Sequence, residues 1–114
     1  MTAANLEFKL WRWQRIGALA LVPLVAFHLA YQYFVIGLDS ISFTVVSAKL
    51  HSLILLAIDL LLLVAAATHG LIGLRGLILD YTSSPALAAR VTAAILIATA
   101  ALFIYGVAAL LAFR

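Results

Sequence analysis

Three long apolar runs govern what this sequence can become: about Ile16 to Gly37, about Leu50 to Leu79, and about Val91 to Phe113. Each reaches or exceeds the ~20 residues that an α-helix needs to cross the ~30 Å hydrocarbon core of a bilayer. Hydrophobic residues make up 68% of the 114 and charged residues only 10%, where a soluble domain carries about 25% charged. A water-soluble fold of this size cannot bury so much apolar surface, so its solvent is lipid. Three spans use up the chain, and three short helices enclose little. The sequence therefore reads as one component of something larger. It contains no Cys, which excludes disulfides, thiolate metal sites and clusters held by cysteine.

Pro23 lies inside the first run, which membrane helices tolerate where neighbours satisfy the freed carbonyl. Gly37-Leu38-Asp39-Ser40 breaks that run, and residues 39–49, with Ser40, Ser42, Thr44, Ser47 and Lys49, read as an exterior connection. The second run is longer than the hydrocarbon is thick, so it tilts or protrudes. Asp80-Tyr81-Thr82-Ser83-Ser84-Pro85 reads as a turn in which Ser83 or Ser84 caps the next helix and Pro85 suits its first turn. The expectation is an all-α membrane protein, one domain over 1–114, with helices at about 14–37, 48–80 and 86–113.

Asn5, Glu7, Lys9, Arg12 and Arg15, with Trp11 and Trp13, read as an interfacial foot. The first run is too long for a signal-peptide apolar region. Lys9, Arg12, Arg15, Arg75 and Arg90 lie on one side of the spans, and Lys49 and Arg114 on the other. Positive-inside then places the N-terminus in the cytoplasm and the C-terminus outside. No solvated basic surface with stacking aromatics exists, so a nucleic-acid partner is not expected.

Ionisable groups inside spans are expensive, and by default they mark function. His28, Asp59, His69 and Arg75 lie there, with His51 and Asp80 near the ends. At 100° per residue Ala66, His69, Gly73, Gly76 and Asp80 fall along one stripe, so His69 stands over a strip almost without side chains. Small residues admit a neighbouring helix. A flat macrocycle needs the same clearance, and His is a usual axial ligand of haem iron. His28 lies on the stripe Gly17, Leu21, Leu24, His28, Tyr31, and reads either as a second axial ligand or as a helix-packing hydrogen bonder.

Depth separates the two histidines. Measured from Arg15 and Arg75 at ~1.5 Å per residue, His28 lies about 20 Å deep and His69 about 9 Å. The ligands of one haem meet nearly at one point, so these two serve different haems, or one serves alone. Either way, the opposite ligands come from another chain. Arg75 reads as a propionate partner by its fork geometry or as a snorkelling anchor. Asp80 and Tyr81 read as quinone headgroup contacts or as ordinary interfacial residues. Asp59 is an acid in a proton path or the partner of a base on another chain. His51 is an interfacial side chain or a distal quinone contact.

Three stretches together carry a family resemblance: Trp11-Arg12-Trp13-Gln14-Arg15-Ile16-Gly17-Ala18 leading to Phe27-His28-Leu29; Asp59-Leu60-Leu61-Leu62-Leu63 leading to His69; and His69-Gly70-x-x-Gly73-Leu74-Arg75 followed by Asp80-Tyr81. They resemble the cytochrome b membrane anchors of succinate:quinone oxidoreductase (succinate dehydrogenase, complex II), in the diheme, two-anchor form of menaquinone-using bacteria. Of the two anchors, the chain is similar to the D type. The first stretch is similar to that family's Arg-x-x-(Gly/Ala) opening of helix one and its helix-one histidine. The third is similar to its His-x-x-x-Gly-x-x-x-x-x-x-Asp-Tyr signature. Gly76 stands where the companion anchor usually has His.

The resemblance implies that His69 ligates the haem b nearer the cytoplasm and His28 the distal one, in a bundle of which this chain is half and the companion cytochrome b anchor the other half. Single-haem members lack a ligand at the position of His28. It implies a quinone, menaquinone, near Tyr81 and Asp80. It also implies a flavoprotein that oxidises succinate, an iron–sulfur protein that delivers electrons to the membrane face, and a bacterial or archaeal cytoplasmic membrane. The residues alone leave two alternatives open: a single-haem anchor, and a non-haem membrane protein whose Asp59 and His28 line a proton or ion path.

Overall fold

The computed structural model describes residues 2–114, which are all-helical, with no strand among them. Helix α1 (Ala3–Ala30) runs on through a wider π-helical turn at Tyr31–Ile36. A 3₁₀ turn at Leu38–Ser40 leads to α2 (Phe43–Leu50), followed by α3 (Leu53–Leu79) and α4 (Pro85–Ala112). By length and composition α1 with its π turn, α3 and α4 are each able to cross a membrane. The molecule measures 50 × 25 × 24 Å, long enough for a bilayer of ~40–45 Å including headgroups.

Every helix starts where a hydroxyl can accept from the first turn, which satisfies a donor that the helix itself leaves orphaned. Thr2 accepts from the Asn5 N–H, Ser42 from Val45 and Ser84 from Leu87, each at 3.3 Å, and Ser52 accepts from Leu55 at 3.4 Å. Pro85 takes the first turn of α4, where its missing N–H costs nothing. At the other end of α1, Gly37 has φ +82 and gives its N–H to the Gln32 carbonyl at 3.0 Å. A side chain would be strained in that conformation.

Two boundaries differ from the sequence reading. The first helix begins at Ala3 rather than near residue 14, because the polar foot contains no breaker and Thr2 caps it. Apolar length marks where lipid begins, and the helix itself starts earlier. The expected helix over 48–80 is two helices. Ser52 leaves helical geometry at φ −71, ψ 118 and caps α3, while the His51 ring donates through Nδ1 to the Ser47 carbonyl at 2.8 Å. Local capping competes with helix continuation, as Ser allows.

α3 is the middle helix, packed along α1 on one side and α4 on the other. The contacts of Glu7 with Arg75, Gln14 with His69 and His28 with Asp59 set α1 antiparallel to α3. Arg75 with Thr92, and Leu63 against Gly106, do the same for α4. A Cβ on Gly106 would come within 2.6 Å of Leu63 Cδ2, so this glycine permits the close approach. Among the apolar side chains of the described residues only Leu50, Leu56, Ala65 and Ile95 are buried, and most large ones are exposed. A row of helices whose flanks are apolar all round suits lipid or another apolar protein surface rather than water.

Candidate functional site

His69 is held by α1. Its Nδ1 lies 3.0 Å from the Gln14 carbonyl oxygen. A carbonyl can only accept, so Nδ1 donates, and the neutral ring keeps its lone pair on Nε2. Gly17 keeps the approach close: a Cβ there would come within 3.2 Å of His69 Cβ and 3.4 Å of the Ala65 carbonyl oxygen. The sequence period groups Gly17 with His28, but across the helix pair it faces His69. The small-residue strip beside His69 is only partly open. A Cβ on Gly70 or Gly76 would meet nothing within 4 Å, whereas one on Gly73 would come within 2.8 Å of Gln14 Nε2.

His28 belongs to a second cluster. Its Nδ1 lies 3.2 Å from Asp59 Oδ1, and Lys49 Nζ donates to Asp59 Oδ2 at 2.7 Å. A carboxylate only accepts, so this histidine too donates from Nδ1; in the neutral ring that leaves the lone pair on Nε2. The break at His51-Ser52 builds the cluster. In a continuous helix Lys49 and Asp59 would stand about 15 Å apart; α2 folds back and closes that gap. The Lys49 and Asp59 side chains are 6% and 10% exposed, and His28 is half-buried at 31%. Lys49 Nζ also sits 5.9 Å from the Tyr31 ring centroid. His28 and Asp59 open onto a groove of about 390 Å³ lined by Leu62, Leu63, Ala66, Gly106 and their α4 neighbours. Asp59 and His69 are ten residues apart on α3, about 15 Å along its axis, so the two imidazoles are held at different depths.

Arg75 lies about 120° round α3 from His69, on a different face. Its guanidinium is taken up within the chain: Nη1 donates to Glu7 Oε2 at 3.0 Å, Nη2 to Glu7 Oε1, and Nε to Thr92 Oγ1 at 2.8 Å. This bidentate pair fastens the N-terminal foot to α3 and α4. Asp80 and Tyr81 follow at the α3–α4 turn of the same end, both exposed, Tyr81 at 86%. No side-chain hydrogen bond involves either among the described residues, so phenol and carboxylate are free to meet another molecule. His51 is exposed at the opposite end of α3.

Sequence reasoning passes over Lys49, Glu7 and the Gln14 carbonyl. Two of them carry a faint signal. Lys49 is the lone Lys or Arg between Arg15 and Arg75, and Glu7 is the lone acid before Asp39. A single charge in so apolar a chain needs a counter-charge. The backbone carbonyl carries no signal at all.

The donor set bears on whether haem fits. A metal-bound histidine usually gives its other N–H to a carbonyl or carboxylate, which fixes tautomer and ring orientation. His69 with Gln14 and His28 with Asp59 both have that arrangement. The glycines beside His69 and the apolar groove beside His28 offer room for a flat ring. No group of three or more His, Asp or Glu gathers among the described residues, so each imidazole would offer a single donor.

The family model described as the succinate dehydrogenase/fumarate reductase transmembrane subunit matches residues 1–108. No curated protein matches the chain.

Proposed function

This chain belongs to the succinate dehydrogenase/fumarate reductase transmembrane subunit family, and we propose that it gives one imidazole ligand to each of two b-type haems. His69 serves the haem nearer the cytoplasm, and His28 the distal one. The observation that carries this reading is geometric: each Nδ1 lies within hydrogen-bond distance of an acceptor-only oxygen, which leaves Nε2 of the neutral ring for a ligand. When bound, haem would supply one-electron transfer.

The chain's own residues hold and orient. Gln14 and Asp59 aim the two rings, and Gly17 lets α1 close on His69. The apolar groove wall at Leu62, Leu63 and Ala66 excludes water on the His28 side. Arg75 secures the cytoplasmic foot through Glu7, and the exposed Asp80 and Tyr81 form the quinone contact, with menaquinone as the quinone. The remaining haem ligands would come from a second cytochrome b anchor. The succinate-oxidising site lies on a separate flavoprotein, and an iron–sulfur protein joins it to the membrane face of a bacterial or archaeal cytoplasmic membrane.

The test is haem content of the intact purified complex, by pyridine haemochrome and low-spin spectra, in His69→Ala and His28→Ala. Each should lose about half of the haem. Unchanged content in His69→Ala would sink its assignment. Unchanged content in His28→Ala would leave a single-haem anchor. A wild-type complex without a Soret band would favour the non-haem reading, with Asp59 and His28 on a proton path.

A further inference from the structure

We propose that Asp59 and Lys49 are positioning residues for His28: together they form a charge-balanced support that fixes its tautomer and sets how strongly Nε2 donates to a metal. This rests on the reading of His28 as a haem ligand.

Three observations carry it. Asp59 divides its two oxygens, one accepting from His28 Nδ1 at 3.2 Å and the other from Lys49 Nζ at 2.7 Å. Both charged side chains are nine-tenths or more buried. Finally, the chain interrupts what its apolar pattern would make one long helix at the point that lets Lys49 reach back to Asp59.

A buried ion pair is weak evidence for stability, because desolvation offsets much of the attraction. A mere fastening of α2 to α3 would also leave the second carboxylate oxygen indifferent to its neighbour. Here that oxygen holds the ring that lines the apolar groove. The groups around the cluster are few. α1 presents His28 and the Tyr31 ring, α2 presents Lys49, and the α4 wall of the groove is Gly106, Ala109 and Leu110, all uncharged. With no other charge among these wall residues, the balance between Asp59 and Lys49 decides how anionic the acceptor of the His28 N–H is.

The physical consequence has a sign. A carboxylate that accepts a hydrogen bond from Nδ1–H makes the imidazole a stronger donor, which favours the oxidised iron. Lys49 draws negative charge away from the same carboxylate and moderates the effect. Removing the acid's charge and removing the lysine's charge should therefore move the distal haem in opposite directions. A purely structural brace would loosen the site alike in both variants.

The experiment is a redox titration of both haems in the intact complex, with electron paramagnetic resonance to follow each low-spin signal. Asp59→Asn should raise the potential of the His28-dependent haem, Lys49→Met should lower it, and the His69-dependent haem should stay in place. Lys49→Arg, which keeps the charge, should match wild type, and it decides the case against Lys49→Met if Asp59→Asn does not assemble. Shifts of the same sign, or none with haem retained, overturn the proposal. His28→Ala separates the two levels. If it keeps both haems, the ligand reading itself fails and the support falls with it. If it loses one haem while Asp59→Asn and Lys49→Met show no opposed shifts, only the support fails.

Discussion

Gly17 gives the sharpest test of how α1 meets α3. A methyl group there would stand 3.2 Å from His69 Cβ and 3.4 Å from the Ala65 carbonyl oxygen. Ordinary contact begins at about 3.4 Å, so Gly17→Ala requires the helices to part by only a few tenths of an ångström. The His69–Gln14 bond, now 3.0 Å, would lengthen by a similar amount and survive. A polar contact between membrane helices contributes about 0.6 kcal/mol on average, and Ala favours helix over Gly by up to about 1 kcal/mol. Gly17→Ala should be nearly neutral.

Gly17→Leu cannot be absorbed in this way. Its branch would have to push His69 off the Gln14 carbonyl. Overpacking costs about 1–3 kcal/mol and the lost bond about 0.6–1.7 kcal/mol, so the total is roughly 2–5 kcal/mol. Thermal unfolding of the detergent-solubilised complex, followed with haem content, reads this out. The Leu variant should melt earlier and lose the His69-dependent haem, while the His28-dependent signal remains. A Gly17→Leu complex with wild-type melting and haem content would refute the α1–α3 register described above.

Two further outcomes follow from burial. The Arg75 side chain is 7% exposed and that of Glu7 56%. Glu7→Gln therefore leaves a buried guanidinium without its counter-charge and should cost about 1–3 kcal/mol. Arg75→Met leaves only a solvated carboxylate, with Thr92 still bonded to the Ala88 carbonyl at 2.8 Å, and should cost less than about 1 kcal/mol. Melting temperatures of the two variants check the order, and the reverse order would refute the argument. Ser52→Ala removes the α3 cap and should lower stability by about 1 kcal/mol, with Lys49 drawn away from Asp59 as the helix runs on. A melting temperature unchanged from wild type would show that the cap is not what ends α2.

The membrane-spanning architecture is legible in the residues alone, because bilayer thickness converts apolar length directly into spans. The Ser84-Pro85 start of α4 is equally legible, since capping is local chemistry. The two histidines also stand out unaided: an ionisable side chain in an apolar run is conspicuous without any fold. Their separation in depth follows from helical rise, and in the fold His28 meets Asp59, ten positions along α3 from His69.

The partners of these residues are another matter. Hydropathy adds up along one chain and contains no register between helices. It pairs Gly17 with His28 by period, where packing sets it against His69. It leaves Arg75 looking outward for an acid, where antiparallel α1 brings Glu7 to it. It counts Lys49 as a loop cation, where the turn at His51-Ser52 buries it on Asp59. Each of these contacts joins residues that packing or a chain break brings together, and its energy comes from removing charge and backbone from lipid at a common depth. That depth is a property of how helices lie against one another, so only the folded bundle specifies it.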